Sequence, residues 1–359
     1  MKQTLASLTN LSRLAPQSHF MSLAKAAEYE NLSAYSPTNI LAWLKNVGLY
    51  WLGAKHPFLT YAAPSTGIFP MDNQVKISVA GDWGSGTNEA EKVAAQIRAG
   101  MPDFTIHLGD VYYTGNKAEI DENFLGIKSS AFDPTAWPLG SKGTFSLLGN
   151  HEMFSHGTFY FDVLLPALKQ QASYFCLEND FWRIVAIDTG YNSTGLDFGP
   201  FKPSCKIPDE VLTWLASLNL AGDDRGLIVM SHHQPWSSFE TWYKTPAKQL
   251  AKFINRPVLW FWGHEHRMAI YGEYTMNGIT ARGRLIGHGG MPITLKKPNN
   301  SKCFCAFTDM DLYPNSEGLS VGFNGYATLE FSRANLHVDY LDLNGHLVYS
   351  EAWTPAALQ

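Results

Sequence analysis

From residue 75 onward, short runs of apolar, β-prone residues recur, and five of them stop at a polar cluster. Residues 75–80 run into Gly81-Asp82 and 104–108 into Gly109-Asp110. Residues 144–148 run into Gly149-Asn150-His151, and 227–230 into Ser231-His232-His233. Residues 258–262 run into Gly263-His264-Glu265-His266. Stretches of helical or loop character separate several of these runs, among them 88–99 and 208–218. Strands alternating with crossovers carry their polar groups on the loops past the strands' carboxyl ends. Two later runs, 325–331 and 336–341, read as antiparallel strands that close the domain. No internal repeat or low-complexity tract interrupts the pattern.

The first 70 residues have a different texture. Ser36-Pro37 is a good helix start, and Ile40, Leu44, Val47 and Trp51 then fall on one helical face. Leu41, Trp43, Leu49 and Leu52 add apolar surface on others. Such a helix either docks on the main domain or offers a dimer or membrane-surface contact. Residues 56–70, with Pro57, Pro64, Gly67 and Pro70, read as an extended connector. The expected division is a helical N-terminal extension over 1–70 and a main body over 71–359.

Composition narrows the classes. With 45% hydrophobic and 16% charged residues, the chain is globular rather than disordered. A net charge of −5 with no basic block argues against a nucleic-acid partner. Cys303-Phe-Cys305 lacks zinc-ribbon spacing, and four cysteines in 359 residues make no disulfide framework. No segment reaches the roughly 18 uncharged apolar residues of a membrane span. The amino terminus carries no Sec-like apolar run, so the default expectation is cytoplasmic, with export by a route needing no cleaved leader as the alternative.

The strand-end residues carry the chemistry. They supply two Asp, one Asn and several His, and Tyr113 stands three residues beyond Asp110. Carboxylate, amide oxygen, imidazole and phenolate together suit first-row transition metals. Asp82, Asp110, Tyr113, Asn150, His232, His264 and His266 are too many donors for one ion with an open position. They fit two ions if one carboxylate bridges, the clamp used for in-line displacement at phosphorus.

This arrangement resembles the calcineurin-like metallophosphoesterase superfamily, purple acid phosphatase type, over roughly residues 72–345. The motifs are Gly81-Asp82-Trp83-Gly84, Gly109-Asp110-Val111-Tyr112-Tyr113, Gly149-Asn150-His151-Glu152, Val229-Met230-Ser231-His232 and Gly263-His264-Glu265-His266. Most of the wider superfamily has a His where Gly84 stands; here a Tyr stands in instead, as in the purple acid phosphatases. The resemblance implies a four-layer α/β fold, two packed mixed sheets flanked by helices. It implies Asp82, Tyr113 and His266 on a first metal, Asp110 bridging, and Asn150, His232 and His264 on a second. A tyrosinate favours Fe(III) on the first ion, with Fe(II), Zn or Mn beside it. The implied activity is phosphate-monoester hydrolysis by in-line attack of a metal-bound hydroxide. Asn150 and His151 would orient the small phosphorylated substrate, and His151 would help protonate the leaving group.

Two alternatives stay beside this: a phosphodiesterase or nucleotide pyrophosphatase on the same site, and an interaction protein using the helical first 70 residues. Pro235 leaves His233 as a rival to His232 for the ligand role; Val-x-x-His favours His232 and makes His233 a substrate-side residue. Residues 237–241 lack the outer-sphere His of the small family members, a place His156 or His233 would fill. His288, in the glycine turn after 285–286, is a further candidate for substrate contact. Arg267 reads as a solvated loop residue and His107 as a packed or surface one. Substrate, second metal and oligomeric state are not legible.

Overall fold

The computed structural model describes residues 54–128, 133–193, 204–293, 295–300, 302–314 and 320–358. The helix expected from Ser36 lies outside the described residues. One sheet has eight strands: β1 (Ile68–Pro70), β5 (Phe175–Glu178), β6 (Trp182–Ala186), β7 (Gly226–Ser231), β8 (Val258–Trp262), β10 (Ile279–Ile286), β9 (Met268–Met276) and β11 (Cys305–Thr308), in that spatial order. The other has six: β16 (Leu347–Trp353), β15 (Asn335–Asp342), β14 (Gly325–Ser332), β2 (Gln74–Ala80), β3 (Phe104–His107) and β4 (Gly143–Ser146). A small hairpin joins β12 (Leu312–Pro314) to β13 (Ser320–Gly322). Both sheets are mixed. Strands β2, β3 and β4 run parallel, as do β6, β7 and β8, while β14, β15 and β16 are antiparallel.

Period-two alternation explains the layering. In β7, Leu227 and Val229 face one core and Ile228 and Met230 another; in β8, Val258, Trp260 and Trp262 oppose Leu259 and Phe261. The inner residues meet Ile77, Val79, Ile106 and Leu329 of the six-stranded sheet, so the two sheets pack face to face. The outer face of the eight-stranded sheet is covered by helices α3 (Asp209–Ser217) and α4 (Lys244–Leu250), through Val211, Trp214, Leu215, Ala247 and Leu250. Helix α1 (Asn88–Ala99) covers the other sheet with Ala90, Val93, Ala94 and Ile97, spaced along one helical face. The expected four layers are therefore present. Thr87 caps α1 by accepting from the Ala90 amide, and its hydroxyl donates to the Gly290 carbonyl, tying the helix start to the turn after β10.

The expected connector is partly built into the body. Residues Ile68–Pro70 pair in parallel with β5, and Phe58 and Tyr61 pack on the core, Tyr61 donating to the Tyr174 carbonyl at 2.8 Å. The expected boundary at residue 70 falls at the end of β1. Among the described residues, no helix is long and apolar enough to cross a membrane.

His107 is packed rather than on the surface. It lies fully buried on β3 between Phe124 and Trp137, and burial pushes its imidazole down to about 3. Below the unfolded value of 6.5 the unfolded chain takes up a proton that the native His107 refuses, so stability falls with pH from there toward 3. The loss of unfolding free energy between about pH 7.5 and about pH 5.5 should be about 1.4 kcal/mol smaller in His107→Phe than in the wild type. Urea unfolding at the two pH values reads this directly, and an unchanged difference contradicts it.

Candidate metal centre

The parallel strands deliver their carboxyl-terminal loops to one end of the two sheets, where the loops are laced together. The Asp82 amide donates to the Gly109 carbonyl (3.1 Å), Gly81 to Ile286 (3.0 Å) and Gly263 to His232 (3.1 Å). Asp82, Asp110 and His264 all adopt positive φ, at 58°, 76° and 69°. Three such residues among the predicted donors cost roughly 1–3 kcal/mol each, a strain that typically collects at functional sites. The glycine opening two of the motifs has a local reason. A Cβ on Gly149 would sit 2.0 Å from Asp110 Oδ1, and one on Gly263 would sit 2.6 Å from Asp82 Oδ2.

Two donor sets result, joined at Asp110. In the first, Tyr112 Oη lies 2.8 Å from Asp82 Oδ1, 2.9 Å from His266 Nε2 and 3.3 Å from Asp110 Oδ2. In the second, Asn150 Oδ1 lies 3.0 Å from His232 Nε2 and 2.9 Å from His264 Nδ1, while His232 Nε2 lies 3.3 Å from Asp110 Oδ1. Most of these spacings are those of neighbouring ligands on a single ion with bonds of about 2.1 Å. Asp110 thus turns one oxygen to each set.

The supporting contacts aim the donors. His232 Nδ1 faces the Leu108 carbonyl at 2.9 Å, and a carbonyl can only accept, so Nδ1 carries the proton. In the neutral ring Nε2 then presents a lone pair to two oxygen acceptors, an arrangement that a cation or an extra proton must satisfy. The His264 amide donates to Asp82 Oδ2 at 2.7 Å, leaving Oδ1 for the first set. Glu152 is a buried clamp, accepting from the amides of Val111 (2.9 Å), Gly149 (3.1 Å) and Asp110 (3.3 Å), which holds the second and third loops in register.

The electrostatics fit a cation site. Burial raises the Asp82 carboxyl to about 8, with the charge of Asp110 adding to it. Burial would also raise Asp110, but the charges of His232, His151 and His264 outweigh it and hold that carboxyl well below the usual range. Burial would lower His232; Asp110, then Asp82 and Glu152, overcome it and raise the imidazole to about 9. The cluster thus limits its own negative charge with protons on Asp82 and His232, the role that bound cations take over.

The predicted residues come together with one shift of register. Asp82, Asp110, Asn150, His232, His264 and His266 converge, but the phenol among them belongs to Tyr112. Its neighbour Tyr113, the residue picked out by the sequence spacing, meets the site through its backbone, its carbonyl accepting from His151 Nδ1 at 2.6 Å. With Nδ1 so used, His151 turns Nε2 toward Asp110 Oδ2 at 3.8 Å, at the edge of both donor sets. His233 stands against His264, ring centroids 4.6 Å apart, and its Nδ1 lies 3.1 Å from Thr189 Oγ1.

Two other expectations fare differently. His288 is buried, with its Nε2 only 2.9 Å from where a Cβ on Gly325 would lie, and its carbonyl takes the Gly325 amide. Its ring makes no hydrogen bond to any donor of either set; the turn it occupies packs on β14 instead. Arg267 is not solvated: it is buried over the Phe239 ring and paired with Glu240 at 3.3 Å and Glu265 at 3.9 Å. Sequence reasoning passed over Glu152, Glu119, Thr189 and the Leu108 carbonyl. Glu152 stands in the Gly149-Asn150-His151-Glu152 motif but was given no role there, and Glu119 left a second local signal, the Asn-x-x-Glu of a capping box.

Comparison with known proteins gives a consistent frame. Residues 75–268 match the family model described as calcineurin-like phosphoesterase. Among solved structures, a purple acid phosphatase from yellow lupin (Lupinus luteus) seeds superposes with a TM-score of 0.54 at 15% identity, covering 79% of this chain and 54% of the lupin chain. This chain therefore spans about half the length of that phosphatase. The inner-membrane-complex anchor GAP50 of Plasmodium is similar at 16% identity and TM-score 0.49, covering 78% of this chain and 89% of that one. No curated protein matches the sequence.

Proposed function

The chain belongs to the calcineurin-like phosphoesterase family, and on that premise we propose that it hydrolyses phosphate monoesters at a two-metal centre. Asp82, Tyr112 and His266 hold the first ion in this reading, Asn150, His232 and His264 the second, and Asp110 both. The observation that supports it most is the division of Asp110, Oδ2 toward the Tyr112 phenol and Oδ1 toward His232. A phenolate is a hard anionic donor, which suits Fe(III) on the first ion and Fe(II), Zn or Mn on the second. When bound, the ions supply Lewis acidity and make a water nucleophilic near neutral pH.

The chain's own residues do the rest. His151 donates from Nδ1 to the Tyr113 carbonyl, so Nε2 bears a lone pair and takes up a proton before it can donate to a phosphoryl or leaving-group oxygen lying over Asp110. His233, anchored by Thr189 beside His264, forms the substrate-side wall next to the second donor set. A small phosphorylated substrate is the partner this site suits.

Parallel assays with p-nitrophenyl phosphate and bis(p-nitrophenyl) phosphate on the metal-loaded protein test the reaction class. The monoester should be preferred by at least about tenfold in kcat/KM. Equal rates, or a diester preference, would move the assignment to a phosphodiesterase on the same residues.

A further inference from the structure

Helix α2 (Lys117–Asn123) begins with a capping box in which Asn116 Oδ1 accepts from the Glu119 amide at 3.1 Å and the Glu119 side chain accepts from the Asn116 amide, also at 3.1 Å. A capping box asks no more of its acidic residue than that second bond, and glutamine serves there as well as glutamate. Glu119 does more. Its Oε1 accepts from the Tyr113 amide at 2.7 Å, and its Oε2 from the Thr114 amide at 2.8 Å and the Thr114 hydroxyl at 3.0 Å. The residue is 3% exposed, and besides the cap bond its carboxylate takes these three bonds from the loop that carries Tyr112, not from its own helix.

One of those bonds leads on. The peptide group between Tyr113 and Thr114 gives its N–H to Glu119 Oε2, and its carbonyl accepts from His151 Nδ1 at 2.6 Å. A carboxylate at the amide end of a peptide polarises it and makes its carbonyl a stronger acceptor. The stronger acceptor keeps the proton of His151 on Nδ1 and leaves Nε2 facing Asp110. We infer that Glu119 is a positioning residue for this site, fixing the tautomer and direction of His151 through the intervening peptide group and holding the Tyr112 loop by the same carboxylate. The inference rests on the reading of His151 given above, and it assigns to a helix-capping glutamate the orienting role that a carboxylate usually fills by direct contact with a histidine.

The capping role and the positioning role are told apart by charge. The cap bond and the Thr114 bonds share Oε2, so Glu119→Gln with its oxygen there keeps them, but it removes the negative charge that polarises the Tyr113–Thr114 peptide and sets an NH2, which cannot accept, against the Tyr113 amide. Asn116→Ala removes the cap's other bond and leaves the loop contacts of Glu119 in place. The zinc-loaded, diamagnetic protein is examined by long-range 1H–15N correlation, with His151→Ala to assign the ring. Wild type and Asn116→Ala should show His151 protonated at Nδ1. Glu119→Gln should show a mixed or Nε2-protonated ring, with kcat for p-nitrophenyl phosphate lowered about 10- to 100-fold and zinc content maintained. Restoring the carboxylate on a shorter stem, Glu119→Asp, should return part of the Nδ1 population.

An Nε2-protonated His151 in the wild type would overturn the inference even if no variant folds. An unchanged tautomer and kcat in Glu119→Gln would reduce Glu119 to a helix cap. Should the wild type fail to hydrolyse any phosphate ester, the functional reading falls, while the tautomer comparison still decides the role of Glu119.

Discussion

Asp110→Asn is expected to lower hydrolysis by at least roughly 10³-fold and to leave the purified protein with less than one ion per chain. No other donor is shared by the two sets. Oδ1 lies 3.3 Å from His232 Nε2 and Oδ2 lies 3.3 Å from Tyr112 Oη. Asparagine removes the charge and turns one oxygen into an NH2 donor, so one set loses its ligand outright and the other keeps only a neutral oxygen. In the metal-free protein the change removes the chief partner of the protonated His232, which costs stability of its own unless that ring sheds its extra proton. The informative comparison is therefore the metal-dependent rise in unfolding temperature, present in the wild type and absent in Asp110→Asn. Wild-type metal content and activity in the variant would remove the bridge from the account.

Tyr112→Phe and Tyr113→Phe should part company. In iron-loaded wild-type protein, phenolate-to-Fe(III) charge transfer should give a broad visible band. Tyr112→Phe should abolish that band and weaken the first ion's binding by about 10- to 100-fold or more, since its hydroxyl sits between Asp82, Asp110 and His266. Tyr113→Phe should keep the band, because Tyr113 contributes a backbone carbonyl to His151 and an amide to Glu119, both of which survive the substitution. Loss of the band in Tyr113→Phe, with retention in Tyr112→Phe, would return the ligand role to the residue that the sequence spacing favoured.

That one-residue shift marks where sequence reasoning stops. The strands were legible because both faces of β7 and β8 are buried, so their apolar runs are unbroken, and because each run ends at a loop of chemically unusual composition. The stretch 88–99 was legible only as helical or loop in character; the Thr87 cap and the packing of Ala90, Val93, Ala94 and Ile97 make it helix α1. Loops have no period, so the spacing from Asp110 could not say which of two adjacent phenols turns inward. The two histidines His232 and His233 differ in contacts that lie far off in sequence: the Leu108 carbonyl, 124 positions away, fixes the His232 ring, while Thr189 engages its neighbour, and both stand close enough to His264 to share an ion with it. His288 and Arg267 were ambiguous for the same reason. Their partners, Gly325 for one and Phe239 with Glu240 for the other, are brought to them by tertiary packing that no local pattern announces.

The central claim is that two ions share Asp110, and metal content tests it most directly. Protein freed of metal, reconstituted with iron and zinc and desalted should hold about two ions per chain by elemental analysis, falling below one in Asp110→Asn. One ion per chain in the wild type, or none, would contradict the account.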